Sequence, residues 1–290
     1  MKVLITGAAG LVASHFARKL ARDHEVSALT RADLDISKPE TIKLRIAEFD
    51  PDLIINGAVV QVDEAEENGS KARAVNVDGP RFLAQAANGI GAEIIHFSTQ
   101  YVFEGEPLER QPYTIKDEAE PVNNYGRTKL AGEEAVRDAC ARSYIIRTSW
   151  VYGMGKDSFL CTAHEDLRKR KRVRAIDDIW SSTTYVEDLI DRCLVIQQRR
   201  RYGTYHVVND GVCTYYEFAL EAGRLAGLSR AESDALIEIA HEREMRRIAV
   251  RPRYTPLRCL LSAELGLSPM RDWRAALAAY VKDNASQSGV

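Results

Sequence analysis

The sequence predicts an α/β fold: a doubly wound parallel sheet followed by a smaller, mainly helical C-terminal lobe. Three observations carry this prediction. Wholly apolar runs such as Val3-Leu4-Ile5 and Leu53-Ile54-Ile55 recur through the first half, stretches with apolar residues three and four apart separate them, and the alternation fades beyond Gly153. A strand that is apolar at every position is buried on both faces, as parallel strands covered by crossover helices are, whereas a spacing of three and four builds one apolar stripe on a helix.

Taken in order, strands are expected at residues 3–6, 25–29, 53–56, 93–98 and 144–147. Helices lie between them, including one that presents Val12, Phe16 and Leu20 and one that presents Phe82, Leu83 and Ala86. Strict strand–helix alternation favours right-handed βαβ crossovers. Residues 1–150 then form the doubly wound unit and residues 151–290 the second lobe, with segments at about 173–210 returning to the main sheet. Those segments are a strand at 173–176, a helix at 186–197 and a strand at 204–208. Further helices are expected at 215–226, 230–240 and 271–281, with a frayed polar tail over 283–290.

At 290 residues, with 45% hydrophobic and 28% charged residues, the chain has the composition of an ordinary globular protein with a sizeable core. A formal net charge of −2 gives no general attraction to nucleic acid or to an anionic membrane. No apolar run reaches the roughly 18 residues needed to span a bilayer, and the N-terminus enters a strand directly, without a signal-peptide pattern. Cys140, Cys161, Cys193, Cys213 and Cys259 are odd in number and form no C-x-x-C pair. They read as reduced structural thiols, and the expected location is the cytoplasm.

The segment Gly7-Ala8-Ala9-Gly10-Leu11-Val12-Ala13 follows the first strand and opens the first helix. In that position Gly7 and Gly10 permit a tight turn and let backbone N–H groups approach a pyrophosphate, so a dinucleotide-binding (Rossmann) half is expected. NAD-binding chains usually place an acid about 20 residues further on, for the ribose hydroxyls. Here the second strand ends Leu29-Thr30-Arg31, and a guanidinium suits a 2′-phosphate. NADP(H) is therefore the preferred cofactor, with NAD(H) as the alternative, and Asp35 and Ile36 would frame the adenine.

Tyr125 and Lys129 form a Y-x-x-x-K pair at the head of a helix. Four residues apart on a helix is the same face, and an adjacent ammonium would lower the pKa of the phenol. The apolar run Ile94-Ile95-His96-Phe97 ends in Ser98-Thr99, which places hydroxyls at the carboxyl end of a strand. In a doubly wound sheet that end faces the cofactor crevice. Glycine turn, strand-end Thr99 and the Tyr125/Lys129 helix occur in the order that carbonyl reduction requires, with Thr99 holding the oxygen and Tyr125 supplying its proton.

With these residues the chain resembles the extended short-chain dehydrogenases, specifically the dTDP-4-dehydrorhamnose reductase family. The resemblance runs through Asn56-Gly57-Ala58, Ser98-Thr99-Gln100-Tyr101-Val102-Phe103, residues 125–133, Arg147-Thr148-Ser149-Trp150, Gly203-Thr204-Tyr205-His206 and Asp272-Trp273-Arg274. It implies NADPH-dependent reduction of the 4-keto group of a nucleotide-activated 6-deoxysugar, with Thr99, Tyr125 and Lys129 as catalytic residues. It further implies that Leu11, Val12, Ala58 and Val59 join Tyr125 and Lys129 at the cofactor, and that Gln100, Tyr101, Val102 and Trp150 meet the sugar nucleotide. The chain departs from the family pattern at Gln100 and Glu104, where aspartates are usual, and over Asp178-Ile179-Trp180-Ser181. These departures lie on the substrate side, so a related deoxysugar fits as well as rhamnose.

The run Arg168-Lys169-Arg170-Lys171-Arg172-Val173-Arg174 is either a solvated face or a diphosphate contact. Trp150 and Trp180 are either core or stacking platforms. His206 reads as structural, and Asp63, Glu64, Glu66 and Glu67 as a solvated acidic face, with no metal site expected. The expected partner is a small nucleotide sugar, and a homodimer is compatible with the reading. Two other functions stay open at this stage: a dinucleotide-binding regulatory subunit resembling the methionine adenosyltransferase β subunit, and an epimerase or dehydratase holding NAD.

Overall fold

The computed structural model describes residues 1–106, 109–260 and 264–287. Five strands of the first half form where expected: β1 (Lys2–Thr6), β2 (Glu25–Leu29), β3 (Leu53–Asn56), β4 (Glu93–Thr99) and β5 (Ser143–Thr148). Among the described residues a sixth, β10 (Gly203–His206), joins them in the order β10-β5-β4-β3-β1-β2, every pairing parallel. Helix α1 (Leu11–Leu20) follows β1, and α2 (Pro39–Phe49) follows β2. After β3 come the short helices α3 (Val62–Glu67) and α4 (Gly69–Arg73), a π-helical turn at Ala74–Asp78, and α5 (Gly79–Ile90). The long helix α6 (Asn124–Ala139) enters β5.

Side chains alternate across this sheet, and the two faces have separate cores. Val3, Ile5, Leu53, Ile55, Ile95 and Ile146 pack with Phe16 of α1 and with Leu189, Ile190 and Ile196 of α8 (Val186–Gln198). Leu4, Ile54, Ile94 and Ile145 pack on the other face with Ile42, Ile46, Leu83, Ala87 and Val136. The apolar stripes on α1, α2, α5 and α6 therefore close the sheet from both sides, as double winding demands. Because β2 and β3 flank β1 on opposite edges, the order in which strands are added reverses at β1 and opens a crevice at the carboxyl ends of the strands.

The C-terminal half contributes three small parallel pairs: β6 (Val151–Tyr152) with β9 (Thr184–Tyr185), β7 (Val173–Ile176) with β11 (Ile237–Ala240), and β8 (Trp180–Ser181) with β12 (Tyr254–Thr255). Its helices besides α8 include α7 (Phe159–Arg168), α9 (Tyr215–Leu225), α10 (Arg230–Leu236) and α11 (Trp273–Gln287) among the described residues. Three expectations need correction. The strand at 173–176 pairs with β11 instead of returning to the main sheet, which only β10 does among the segments at 173–210. The helix expected over 230–240 stops at Leu236, and Ile237–Ala240 becomes β11 because β7 offers it a parallel partner. The tail is helical through Gln287, with Tyr280 buried and bonded through its hydroxyl to the carbonyl of Cys161 at 2.8 Å; residues 288–290 lie outside the described residues.

Cys140, Cys161, Cys193 and Cys213 are free and buried. No helix among the described residues is long and apolar enough to cross a membrane.

Candidate active site

Helix α6 carries two of the expected catalytic residues, and its start is fixed by several contacts. The Asn123 side chain caps it, accepting the Gly126 N–H at 2.7 Å, while Asn123 Nδ2 donates to the Val250 carbonyl at 2.8 Å. The Asn124 N–H donates to Glu66 at 2.7 Å, which sets a carboxylate at the positive end of the helix. Gly126 packs against the turn that follows Thr99, where an added Cβ would stand 2.1 Å from the Tyr101 carbonyl oxygen. The acidic segment is thus not a solvated face. Besides Glu66, Asp63 pairs with Arg251 at 2.8 Å and Glu64 with Lys71.

Thr99 ends β4 with its side chain buried. Its hydroxyl donates to Gln100 Oε1 at 3.0 Å and accepts the Tyr101 N–H at 3.2 Å. Tyr125 stands edge-on to the Tyr101 ring, the ring centroids 6.0 Å apart. Thr99, Gln100, Tyr101, Tyr125, Lys129, Val12 and Trp150 all line one cavity of about 500 Å³. Trp150 closes its far wall from a left-handed backbone conformation (φ 40°), with its ring stacked 4.0 Å from that of Tyr215. A residue other than glycine holds that conformation only where packing over-determines it.

The electrostatics differ from the sequence expectation in one respect. Burial pushes the Tyr125 phenol up to about 12, opposed by the nearby Thr99 hydroxyl. Lys129 does not pull it down, because the lysine Nζ is turned to the Phe97 carbonyl at 2.6 Å and to His96. Burial also lowers Lys129 to about 8, with Glu133 acting in the opposite sense. Near neutrality the site therefore presents a protonated phenol beside an ammonium, which is the state a proton donor needs.

Behind these groups lies a buried ion pair. Glu133 takes the Arg147 guanidinium through two bonds, at 2.9 and 2.8 Å, and accepts the Ser98 hydroxyl. The Arg147 guanidinium also lies 5.2 Å over the Phe103 ring.

A second hollow of about 260 Å³ shares Gly57, Ala58, Val59 and Gln61 with the first and runs to Gly7, Gly10, Arg31, Asp35 and Ile36. Gly7 has φ +67°, and a Cβ there would meet the Ala58 nitrogen at 2.6 Å. No side chain caps α1, so its N-terminal N–H groups stay open to an anion. Asp33 is turned onto Thr30, bonding its N–H at 2.9 Å and its hydroxyl at 2.7 Å, while Arg31 makes no ion pair among the described residues. Ser37 holds the Asp35 carboxyl below its ordinary range, with smaller help from Arg31. The donor set and the glycine cradle fit a dinucleotide carrying a 2′-phosphate.

Val102 is fully buried with Phe103, Tyr113 and Leu257 and lines neither hollow; the Leu11 side chain packs against the core, while its N–H stands at the open N-terminus of α1. Trp180 is likewise outside both, covered by the Arg110 guanidinium at 4.7 Å. His206 is structural, with Nδ1 3.2 Å from the Tyr113 carbonyl oxygen. Most of the basic run is tied to acids: Arg168 and Lys169 to Glu165, Arg170 to Glu232 and Lys171 to Asp166. Arg174, itself paired with Glu238 and Glu244, alone of the run lines the cavity, joined there by Lys156, Tyr215 and Arg247, which sequence reasoning missed; Arg247 is paired with Glu242. Lys156, one residue past Gly155 in a glycine-bearing loop, carried a usable signal; Tyr215 and Arg247 arrive by tertiary folding alone.

A doubly wound sheet, a glycine turn and a Thr/Tyr/Lys group in one crevice define an extended short-chain dehydrogenase/reductase. Comparison with known proteins narrows this class. The family described as RmlD substrate binding domain matches residues 1–286, and the chain belongs to that family. It is 38% identical over 280 residues to the dTDP-4-dehydrorhamnose reductase of Mycolicibacterium smegmatis, covering 95% of this chain and 84% of that one. Among solved structures, a dTDP-4-dehydrorhamnose reductase from Clostridium acetobutylicum is similar with a TM-score of 0.89 and 34% identity, over 97% of this chain and 99% of that one. The Bacillus anthracis dTDP-4-dehydrorhamnose reductase in complex with NADP gives 0.90 and 29%, over the same shares.

Proposed function

We propose that this chain is an NADPH-dependent sugar-nucleotide 4-ketoreductase, reducing the 4-keto group of a dTDP-linked 6-deoxysugar. One observation carries the reading. Thr99, Tyr125 and Lys129 line one cavity, which shares Gly57, Ala58, Val59 and Gln61 with the hollow holding Gly7, Gly10 and Arg31. The reductases this family contains, one of them solved with NADP, support the same assignment.

Gly7, Gly10 and the open N-terminus of α1 would hold the pyrophosphate, and Arg31 the 2′-phosphate. When bound, NADPH supplies a hydride to the carbonyl carbon. The protein's own work is to receive the charge this creates. Tyr125, protonated near neutrality, gives its hydroxyl proton to the substrate oxygen, an alkoxide being a far stronger base than a phenolate. Thr99 donates its hydroxyl hydrogen to the same oxygen, exchanging its present bond to Gln100 for it. Lys129 supplies positive charge beside both and would hold the nicotinamide ribose. The stacked Trp150–Tyr215 pair forms a flat apolar wall for the sugar or base, and Lys156, Arg174 and Arg247 bring cations for a diphosphate.

The test is oxidation of NADPH on addition of a panel of dTDP-4-keto-6-deoxysugars, followed by absorbance. Tyr125→Phe should reduce turnover by roughly 10²- to 10⁴-fold while leaving the dissociation constant for NADPH within a factor of about two. An equally active Phe variant, or a wild-type protein inert toward the whole panel, would refute the assignment.

A further inference from the structure

We infer that His96 is a positioning residue for Lys129: it presents an Nε2–H to the lysine nitrogen, and Asn56 fixes it in that tautomer. Resting on the dinucleotide-binding reading above, this makes cofactor binding at alkaline pH, where the free protein has lost the Lys129 proton, take that proton up again.

The argument starts from register. Thr6, Asn56 and His96 are successive neighbours across β1, β3 and β4. They point to one face of the sheet, and each is essentially excluded from water. Asn56 Oδ1 lies 3.2 Å from the Ala58 nitrogen and 2.8 Å from Thr6 Oγ1. A backbone N–H only donates, so the amide oxygen must face Ala58, and Nδ2 faces His96. Nδ2 stands 3.0 Å from His96 Nδ1, which must accept. A neutral imidazole that accepts at Nδ1 carries its proton on Nε2. That Nε2 stands 3.4 Å from Lys129 Nζ.

The consequence for the lysine is asymmetric. As an ammonium it has donors only, so toward His96 two donors oppose each other and the Phe97 carbonyl is the acceptor it keeps. As a free amine it keeps that bond and also accepts the Nε2–H. The titratable and charged groups around the pair are Tyr125 and Glu133 on the same helix, Tyr101 in the turn after β4, and Arg147 on β5. Glu133, which favours the ammonium, is engaged by Arg147 and Ser98. Burial and the opposed imidazole thus act together against the ammonium when no acceptor faces it from the cavity. Ribose hydroxyls of a dinucleotide in that cavity provide acceptors, and the lysine takes up its proton to bond them.

The experiment measures NADPH affinity of wild type and His96→Phe from pH 6.5 to 10 by quenching of tryptophan fluorescence, with no turnover involved. Wild-type affinity should fall as pH rises through the range in which Lys129 loses its proton. In His96→Phe the fall should move upward by about one pH unit, leaving the variant roughly tenfold tighter than wild type at the alkaline end. A downward move would mean that His96 accepts from the ammonium, and an unmoved profile would mean that it is only packing; either overturns the inference. His96→Leu, equally uncharged and without a donor toward the lysine, should also move the fall upward, and gives the same decision where His96→Phe does not fold. Absence of NADPH binding at every pH would instead sink the dinucleotide reading itself.

Discussion

Gly126→Ala should inactivate the protein although it removes no functional group and improves helix propensity. In an unhindered helix the change stabilises by roughly 1 kcal/mol. Here the new methyl would lie 2.1 Å from the Tyr101 carbonyl oxygen and 2.8 Å from Pro121 Cβ. A carbon does not approach backbone oxygen closer than about 3 Å, so α6 and the Gln100–Val102 turn must separate by close to an ångström. Overpacking of this kind costs about 1–3 kcal/mol, cancelling or reversing the propensity gain. The functional loss is larger, because the displacement falls between Thr99 and Tyr125, and a misplacement of about 1 Å costs on the order of 10²-fold in rate. The assay is kcat of the variant with its urea unfolding midpoint measured alongside. Gly89→Ala, at a helical glycine of α5 with nothing within 4 Å of the new methyl, is the control and should gain roughly 0.5–1 kcal/mol with unchanged kcat. If Gly126→Ala gains stability like the control and keeps full activity, the close approach of helix and turn does not position the phenol.

Three further outcomes follow from other parts of the molecule. Arg31→Ala should raise KM for NADPH by roughly 10- to 100-fold and leave that for NADH nearly unchanged, since a charge-assisted hydrogen bond is worth about 1.5–3 kcal/mol; equal effects on both would remove Arg31 from the 2′-phosphate site. Glu133→Gln leaves the Arg147 charge buried without its carboxylate and should cost about 3–5 kcal/mol in denaturant unfolding, where a loss below about 1 kcal/mol would show that water reaches the pair. Burial holds His96 well below its ordinary pKa and His206 down to about 3, so below about pH 6.5 the unfolded chain binds protons that the folded chain refuses. Stability is therefore present above that pH and lost below it, by about 1.4 kcal/mol per pH unit for each histidine. His206→Gln should remove one histidine's share of the slope measured between pH 6 and 4, and an unchanged slope would contradict its burial in the neutral form.

The first half of the fold was legible because local composition and tertiary environment agree there. Strands buried on both faces must be apolar at every position, and the glycines after β1 are required by a backbone approach that no side chain permits. Where the outcome depended on distant partners, the sequence was silent. Ile237–Ala240 leaves the helical pattern because β7 lies alongside, more than 60 residues earlier in the chain. Trp150 adopts its unusual backbone against Tyr215, and Asp63 finds Arg251 from the far end of the chain. The catalytic helix was readable from Tyr125 and Lys129, but the direction of the lysine nitrogen was not. It depends on the Phe97 carbonyl and on His96, which sequence spacing does not relate to it.

The π-helical turn at Ala74–Asp78 gives Asn76 an unusual office. Its Oδ1 receives the Val60 N–H at 2.8 Å, while its Nδ2 reaches the Val60 carbonyl at 3.2 Å and Thr128 Oγ1 at 3.1 Å. A Cβ at Gly132 would stand 2.1 Å from its carbonyl oxygen, so α6 rests directly on this widened turn. One amide thus rivets the loop that lines both hollows to the helix bearing the phenol. Trimming a single residue from the bulge would restore regular helical winding, swing the rivet by about 100° about the helix axis, and uncouple ligand loop from catalytic helix in one stroke.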